Sequence, residues 1–210
     1  MKIAILGTGF VGKALGRRMG QLGHEVVFGS RTPDSEAAQA IVAENPERLS
    51  VATQADAANQ CETIIFAVPW PVAEETIRAA GDLNGKTLID CTNPLNERFD
   101  DIELGYTESA AERIAEWAVG AHVVKAFNTV GARTMDDPNF DGQSASVFYC
   151  GDDASAMETT RALLEILGFD AIDSGNLRAA RYLEPMAMLC IQLAVHKKVE
   201  GECALRILRR

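Results

Sequence analysis

Six residues near the start of the chain, Gly7-Thr8-Gly9-Phe10-Val11-Gly12, constrain its fold more than any other stretch. They follow directly on the apolar run 3–6, and they open a segment in which Val11, Ala14, Leu15, Met19 and Leu22 recur three and four residues apart. An apolar run, a glycine-rich turn and an amphipathic helix in immediate succession form the entry to a parallel α/β sheet. In that context each glycine has a task. The first permits a tight turn, the second lets the backbone approach a pyrophosphate, and the third lets helix and strand pack closely. The helix N-terminus then offers free N–H groups and the positive end of its dipole to an anion.

The rest of the chain keeps the same rhythm. Strands are predicted over 25–28, 49–53, 63–68, 87–91, 122–126, 146–150 and 169–172, with helices over 10–22, 34–44, 55–59, 109–119 and 153–167, and one beginning at Pro69-Trp70-Pro71. Strands alternating with helices specify parallel strands and crossover helices, and the continuously apolar run 63–68 suits a central strand covered on both faces. Residues 97–116 carry seven acids and two bases and begin as a solvated loop, and a second loop is expected from Thr129 to about Gly142. The final pattern, 177–198, places Leu183, Met186, Cys190 and Leu193 three and four apart and is apolar nearly all round, which requires burial in a core, a cleft or a subunit interface. The fold class is therefore α/β, a Rossmann-type doubly wound and mostly parallel sheet. A dinucleotide-binding domain is expected over 1–145, and a strand-helix-strand-helix extension over 146–210.

Composition narrows the function. The formal charge of -10, from 30 acids and 20 bases in 210 residues, argues against nucleic acid or an anionic membrane surface as partner. The apolar run 185–195 is about half the ~20 residues that a bilayer span needs. The N-terminal stretch, interrupted by glycines, reads as a strand entering a turn and not as a signal peptide. The five scattered cysteines form no Cys-x-x-Cys pair and read as buried, reduced thiols of a cytoplasmic protein, with no metal site.

The second strand should end near the adenosine ribose, about 20 residues beyond the glycines, where an acid would hold the ribose hydroxyls. None is present: Gly29 is followed by Ser30, Arg31 and Thr32. An acid would repel a 2'-phosphate, whereas two hydroxyls and a guanidinium bind one, so NADP(H) is favoured over NAD. The strand ends also place Ala67-Val68-Pro69, Thr92-Asn93-Pro94 and Asn128-Thr129 beyond the sheet, where small apolar and amide-bearing residues suit a nicotinamide and its carboxamide. No general acid or base stands out. His24, His122 and His196 all read as structural, and Lys125 fits either an anion site or a solvent-facing strand position. These residues therefore suit direct ring-to-ring hydride transfer, in which the protein aligns the partners and excludes water.

The glycine loop, Gly29-Ser30-Arg31, Val68-Pro69-Trp70, the run from Val123 through Lys125, Ala126 and Phe127 to Asn128 and Thr129, Gly151-Asp152-Asp153 and Asp173-Ser174-Gly175 occur in an order that resembles the coenzyme F420-dependent NADP oxidoreductases. The resemblance covers essentially the whole chain. It implies a Rossmann domain with a small C-terminal extension and a deazaflavin lying over the nicotinamide between them. Thr8, Gly9, Phe10, Val11 and Gly12 would hold the pyrophosphate and Ser30, Arg31 and Thr32 the 2'-phosphate. Val68, Pro69 and Asn93 would flank the nucleotide, and Asn128 and Thr129 would align the two rings. Two positions depart from the established deazaflavin enzymes, which carry a histidine in place of Asn128 and a proline in place of Gly131. The Lys-Ala-Phe-Asn-Thr version is similar to the cytosolic domain of the six-transmembrane metalloreductases, which passes electrons from NADPH to flavin.

The expectation is thus an NADP(H)-dependent oxidoreductase acting on a small-molecule, flavin-like acceptor, F420 or FMN/FAD, and forming a homodimer through its last helix. Two alternatives remain open at this stage. One is an NADP(H)-binding redox sensor without turnover. The other is an imine or β-hydroxyacid reductase, whose longer all-helical second domain has little room after residue 150.

Overall fold

The computed structural model describes residues 1–195, 199 and 202–210. Among these residues ten strands and eight α-helices follow in the order β1 (Lys2–Leu6), α1 (Phe10–Gln21), β2 (Glu25–Ser30), α2 (Glu36–Ala43), β3 (Leu49–Thr53), α3 (Gln54–Asn59), β4 (Thr63–Phe66), α4 (Ala73–Ala80), β5 (Thr87–Asp90), α5 (Ala110–Trp117), β6 (His122–Lys125), α6 (Ala132–Asp136), β7 (Asn139–Phe140), β8 (Gln143–Ser144), β9 (Ser146–Gly151), α7 (Ala154–Ile166), β10 (Asp170–Asp173) and α8 (Ala180–Val195). Eight strands form one sheet in the order β10-β9-β6-β5-β4-β1-β2-β3, and β7 and β8 form a small hairpin. All neighbours in the large sheet run parallel except β9, which is antiparallel to β6. The α/β, mostly parallel Rossmann-type class expected from the sequence is the one observed.

The two-residue period of the strands explains the two apolar layers. Ile3 and Ile5 of β1 join Leu15, Met19, Phe28, Ile65 and Val124 on one side of the sheet. Ala4 and Leu6, their neighbours in the chain, join Ile64, Phe66, Leu88, Ile77 and Ile114 on the other. Covered on both faces, β1 and β4 need to be continuously apolar, and every residue of β4 is buried. The strand order reverses between β1 and β4. That reversal opens a crevice beyond the carboxyl ends of the strands, where such sheets bind ligands.

Four expectations need correction. The second strand does not stop at Phe28 but runs through Ser30, because β3 continues to pair with it at Gly29↔Ala52 and Ser30↔Thr53. The fourth ends at Phe66, two residues early, so that Ala67 and Val68 are released toward the crevice. The expected loop before Gly142 holds α6 and the β7–β8 hairpin. Five and two residues are too short to display a period, yet Thr134 and Met135 of α6 are buried. Finally, α8 is not buried all round: Leu183, Glu184, Ala187 and Met188 face inward, while Tyr182 and Leu189 are exposed. His196 lies outside the described residues.

A proline inside α8 explains how that helix is held. Pro185 has no N–H to give the Arg181 carbonyl one turn earlier, and the backbone N–H of Tyr106 donates to that carbonyl instead, at 3.2 Å. The acidic loop before α5 is therefore attached to α8 by the bond the helix itself lacks. Gln192 adds a second link by donating to the Asp100 carbonyl.

Candidate active site

The glycine turn is shaped by its neighbours. Gly7 has φ 122°, which L side chains rarely adopt, and a Cβ there would collide with the Ala67 carbonyl oxygen just past β4. A Cβ on Gly12 would collide with the Gly7 carbonyl oxygen. By contrast, a Cβ on Gly9 would meet nothing within 4 Å. Gly9 borders open space, so its backbone is approachable from the crevice, as a pyrophosphate requires.

A cavity of about 200 Å³ lies over this turn. Gly7, Thr8 and Gly9 form one wall, Gly29, Ser30, Arg31 and Thr32 a second, and Ala67, Val68 and Pro69 a third. The structure thus brings the glycine loop and the candidate phosphate clamp into one pocket. The Ser30 hydroxyl oxygen accepts from the Thr32 N–H at 3.1 Å, which folds the clamp into a compact turn. Arg31 is exposed and forms no ion pair among the described residues, so its guanidinium faces the crevice mouth without a competing acid. These features fit a phosphorylated dinucleotide. Gln54, Val72 and Thr76 also line the cavity, and sequence reasoning missed them. Gln54 had a signal, since it opens α3 at the carboxyl end of β3 behind the N-cap Thr53.

Not every predicted residue lines that cavity. Phe10 is 89% exposed on the first turn of α1, and Val11 and Gly12 stand behind the turn. Asn93, Asn128 and Thr129 lie off it, at the ends of β5 and β6, and the last two are buried. Asn128 Nδ2 donates to Asn93 Oδ1 at 3.1 Å and to the Leu183 carbonyl at 3.0 Å, while Asn93 Nδ2 donates to the Asn128 carbonyl at 2.9 Å. The two amides form a reciprocal clasp. The Oδ1 atom of Asn128 and the hydroxyls of Thr92 and Thr129 are buried without a hydrogen-bond partner among the described residues. Buried polar atoms are rarely left unpaired, so these three oxygens retain unmet hydrogen-bonding capacity at the ends of β5 and β6.

Lys125 is neither an anion site nor a solvent-facing residue. It is fully buried, and its Nζ donates to Asp90 Oδ2 at 2.7 Å and to the Thr92 carbonyl at 2.6 Å, and lies 2.8 Å from Glu184 Oε1. Burial alone would depress its pKa, but Asp90 and Glu184 outweigh burial and hold it above the ordinary lysine value. Burial raises Glu184, against the pull of Lys125. Glu184 also accepts from the N–H groups of Ala110 and Ala111, the first turn of α5, where a helix N-terminus favours a carboxylate. In the same turn, Ser109 caps the N–H of Glu112, whose carboxylate is gripped at both oxygens by Arg181. The sequence showed a charged residue at the end of each strand, Asp90 and Lys125, but their pairing comes from the register of β5 with β6.

Three of the five thiols are withdrawn from solvent. Cys61, Cys91 and Cys150 are buried, and burial pushes Cys150 up to about 12. Cys190 and Cys203 are half-buried. Among the described residues there is no group of acids, histidines and cysteines that could hold a metal ion, and no helix is long and apolar enough to cross a membrane.

Known proteins resemble this chain along most of its length. The family model for coenzyme F420-dependent NADP oxidoreductases matches residues 2–94. The F420-dependent NADP reductase of Methanothermobacter marburgensis is 33% identical over 215 aligned positions, covering 96% of each chain. The metalloreductase STEAP3 of Rattus norvegicus is 32% identical over 187, which is 89% of this chain but 36% of that protein. A crystal structure of a candidate F420-dependent NADP reductase from Arthrobacter sp. FB24 superposes over the whole of both chains with a TM-score of 0.89 and 34% identity. An imine reductase of Streptomyces aurantiacus, 21% identical with a TM-score of 0.68, shares the fold over 94% of this chain and 64% of its own. On the strength of the full-length relatives, the chain belongs to the F420-dependent NADP oxidoreductase family.

Proposed function

We propose that the protein is an NADP(H)-dependent oxidoreductase that transfers hydride between the nicotinamide and a flavin-like acceptor, either deazaflavin F420 or FMN/FAD. The observation that carries this reading is the single cavity shared by the glycine turn and the Ser30-Arg31-Thr32 clamp. In this reading the backbone around Gly7, Thr8 and Gly9, at the head of α1, takes the pyrophosphate. Phe10, Val11 and Gly12 form the first turn behind it. Ser30, Arg31 and Thr32 bind the 2'-phosphate through charge-assisted hydrogen bonds. Ala67, Val68, Pro69 and Asn93 flank the nucleotide, and Asn128 and Thr129 align the rings. The nicotinamide supplies hydride chemistry when bound; the protein contributes alignment and exclusion of water, and no side chain is needed as acid or base.

The remaining assignments follow from the same layout. Residues 1–145 serve as the nucleotide-binding unit, and 146–210 complete the acceptor side through α8. Exposed Tyr182 and Leu189 on α8 support a homodimer through that helix, which light scattering would show as twice the monomer mass. Buried, unpaired thiols support a reducing compartment, the cytoplasm. The decisive experiment mixes purified protein and NADPH with F420, FMN, FAD and a panel of imines in turn, following absorbance of the reduced nicotinamide. Oxidation by F420 or a flavin is the expected outcome. Oxidation by imines alone would reassign the acceptor, and tight binding without oxidation by any of them would make the protein a sensor.

A further inference from the structure

The Lys125–Asp90–Glu184 cluster is unused in the function just described, and its chemistry is unusual for the centre of a sheet. Burying three ionisable groups is costly, and well-packed apolar residues in their place are often as stable or more so. Stability alone therefore gives a poor account of it. Nor is Lys125 free to act on a substrate: its ammonium has three protons and three oxygen neighbours, at 2.6, 2.7 and 2.8 Å. Its geometry instead connects three segments. Asp90 Oδ1 accepts from the Thr92 N–H at 2.8 Å while Lys125 donates to the Thr92 carbonyl, so this one residue is clamped from both sides immediately before Asn93. Glu184, held by Lys125 and by the head of α5, fixes the turn of α8 that includes Leu183. The Leu183 carbonyl in turn accepts from Asn128. Between Lys125 and Asn128 the chain turns through Phe127, a buried non-glycine residue at φ 63° that its surroundings must hold in place.

We propose that Lys125, with Asp90 and Glu184, is a positioning residue for hydride transfer: the cluster sets the relative placement of Asn93, Asn128 and α8, and thereby the ring-stacking end of the site. The proposal rests on assigning Asn93 and Asn128 to the nicotinamide. It separates two properties that a merely structural lysine would change together, because the adenosine-phosphate end, built on β1, β2 and β4, meets the cluster through the backbone pairing of Phe66 with Asp90, while none of the residues lining its cavity hydrogen-bonds to Lys125, Asp90 or Glu184 among the described residues.

The test compares full-length Lys125→Met with the double variant Lys125→Met/Glu184→Gln, which removes one of the two carboxylates left facing each other. Melting temperature, NADPH affinity and single-turnover oxidation of NADPH by whichever acceptor the wild type uses are measured for each. The single variant melts lower, and the double variant recovers much of that loss. In both, NADPH affinity changes less than about threefold while the transfer rate falls roughly 10- to 100-fold, the scale expected of an ångström-sized misplacement. A double variant that regains the rate along with the melting temperature would overturn the proposal, as would a rate loss matched by the loss of affinity. If the wild type oxidises NADPH with no acceptor, the redox reading fails on the wild type alone. The cluster is then judged by the nicotinamide emission of bound NADPH. Altered intensity in both variants at saturating NADPH supports positioning, and emission identical to wild type overturns it.

Discussion

The two ends of the crevice are built by opposite means. At the β1–β2–β4 end the walls are turns of backbone: glycines leave room, a short turn presents Ser30, Arg31 and Thr32, and the pocket is open. At the β5–β6–α8 end, side chains from segments far apart in sequence interlock: Asn93 with Asn128, Asn128 with Leu183, and Lys125 with Asp90 and Glu184. That end is closed and carries buried unpaired oxygens. A phosphate is the same in every NADP molecule, so a fixed cradle suits it. An acceptor ring must be aligned to a fraction of an ångström, which calls for a rigid network instead.

The comparison breaks most readily at Gly7. Gly7→Ala places a methyl group against the Ala67 carbonyl at a φ of 122°. Strain alone costs about 1–3 kcal/mol, and relieving the collision displaces the turn from the phosphate path. NADPH affinity in a titration should drop by more than ~100-fold, or about 2.7 kcal/mol. A variant that still binds normally would show that the cradle is not the glycine turn. The next effect in size is at Arg31. Arg31→Ala should weaken NADPH more than NADH by ~1.5–3 kcal/mol, the range for hydrogen bonds to charged groups. Equal losses for the two would remove the 2'-phosphate assignment and leave an exposed turn residue.

The same contrast decides how much was legible in the sequence. Local chemistry announced the open end: a strand, three glycines and a helix lie within some twenty residues, and the missing acid after Gly29 points to the 2'-phosphate. Lys125 was visible, but its role was not. Its partners lie 35 residues before it in Asp90 and 59 residues after it in Glu184, and only the sheet order and the path of α8 bring them together. The same holds for α8. Its composition suggested burial on every face, because nothing in a one-dimensional pattern reveals that Pro185 leaves a carbonyl for Tyr106 or that Tyr182 stays outside. The corrected end of the second strand has a similar origin, since pairing with β3 decides it and not the residues of β2 alone.

The closed end is probed next, with an isosteric change. In Asn128→Asp a carboxylate oxygen replaces the amide nitrogen that donates to Asn93 Oδ1 and the Leu183 carbonyl. Oxygen then faces oxygen in a buried position, and the expected cost is about 1–3 kcal/mol of stability, read as a lower denaturant midpoint. Asn93→Asp/Asn128→Asp should not add up, because the first change has already broken the clasp they share. Additive losses would mean that the two amides are independent, and the picture of an interlocked end would need redrawing. Affinity for adenosine 2',5'-bisphosphate, which would occupy the open end alone, should stay within about threefold in either single variant, the insulation expected of sites without shared partners.

The smallest expected effect concerns the outer attachment of α8, and it turns on the sign of a pH dependence. Arg181 grips Glu112 at both carboxylate oxygens, and this pairing holds the Glu112 pKa below the usual carboxylate value against an opposing effect of burial. A carboxylate depressed in the folded state stabilises the fold above its unfolded pKa, about 4.3, and that contribution disappears as pH falls through the folded value. Glu184 has the opposite sign: burial raises it, so its contribution is present at low pH and fades as pH rises through its folded value. Two acidic contacts of one helix therefore pull the stability curve in different directions. Glu112→Gln should cost about 1 kcal/mol at neutral pH, as expected for a bidentate but partly exposed pair, and nothing once the wild-type carboxylate is protonated. Melting temperatures of the two proteins should converge as pH falls below about 4.3. A gap that stays constant down to low pH would mean that Glu112 matters through its hydrogen bond with Ser109 or its packing, and not through the charge it offers Arg181.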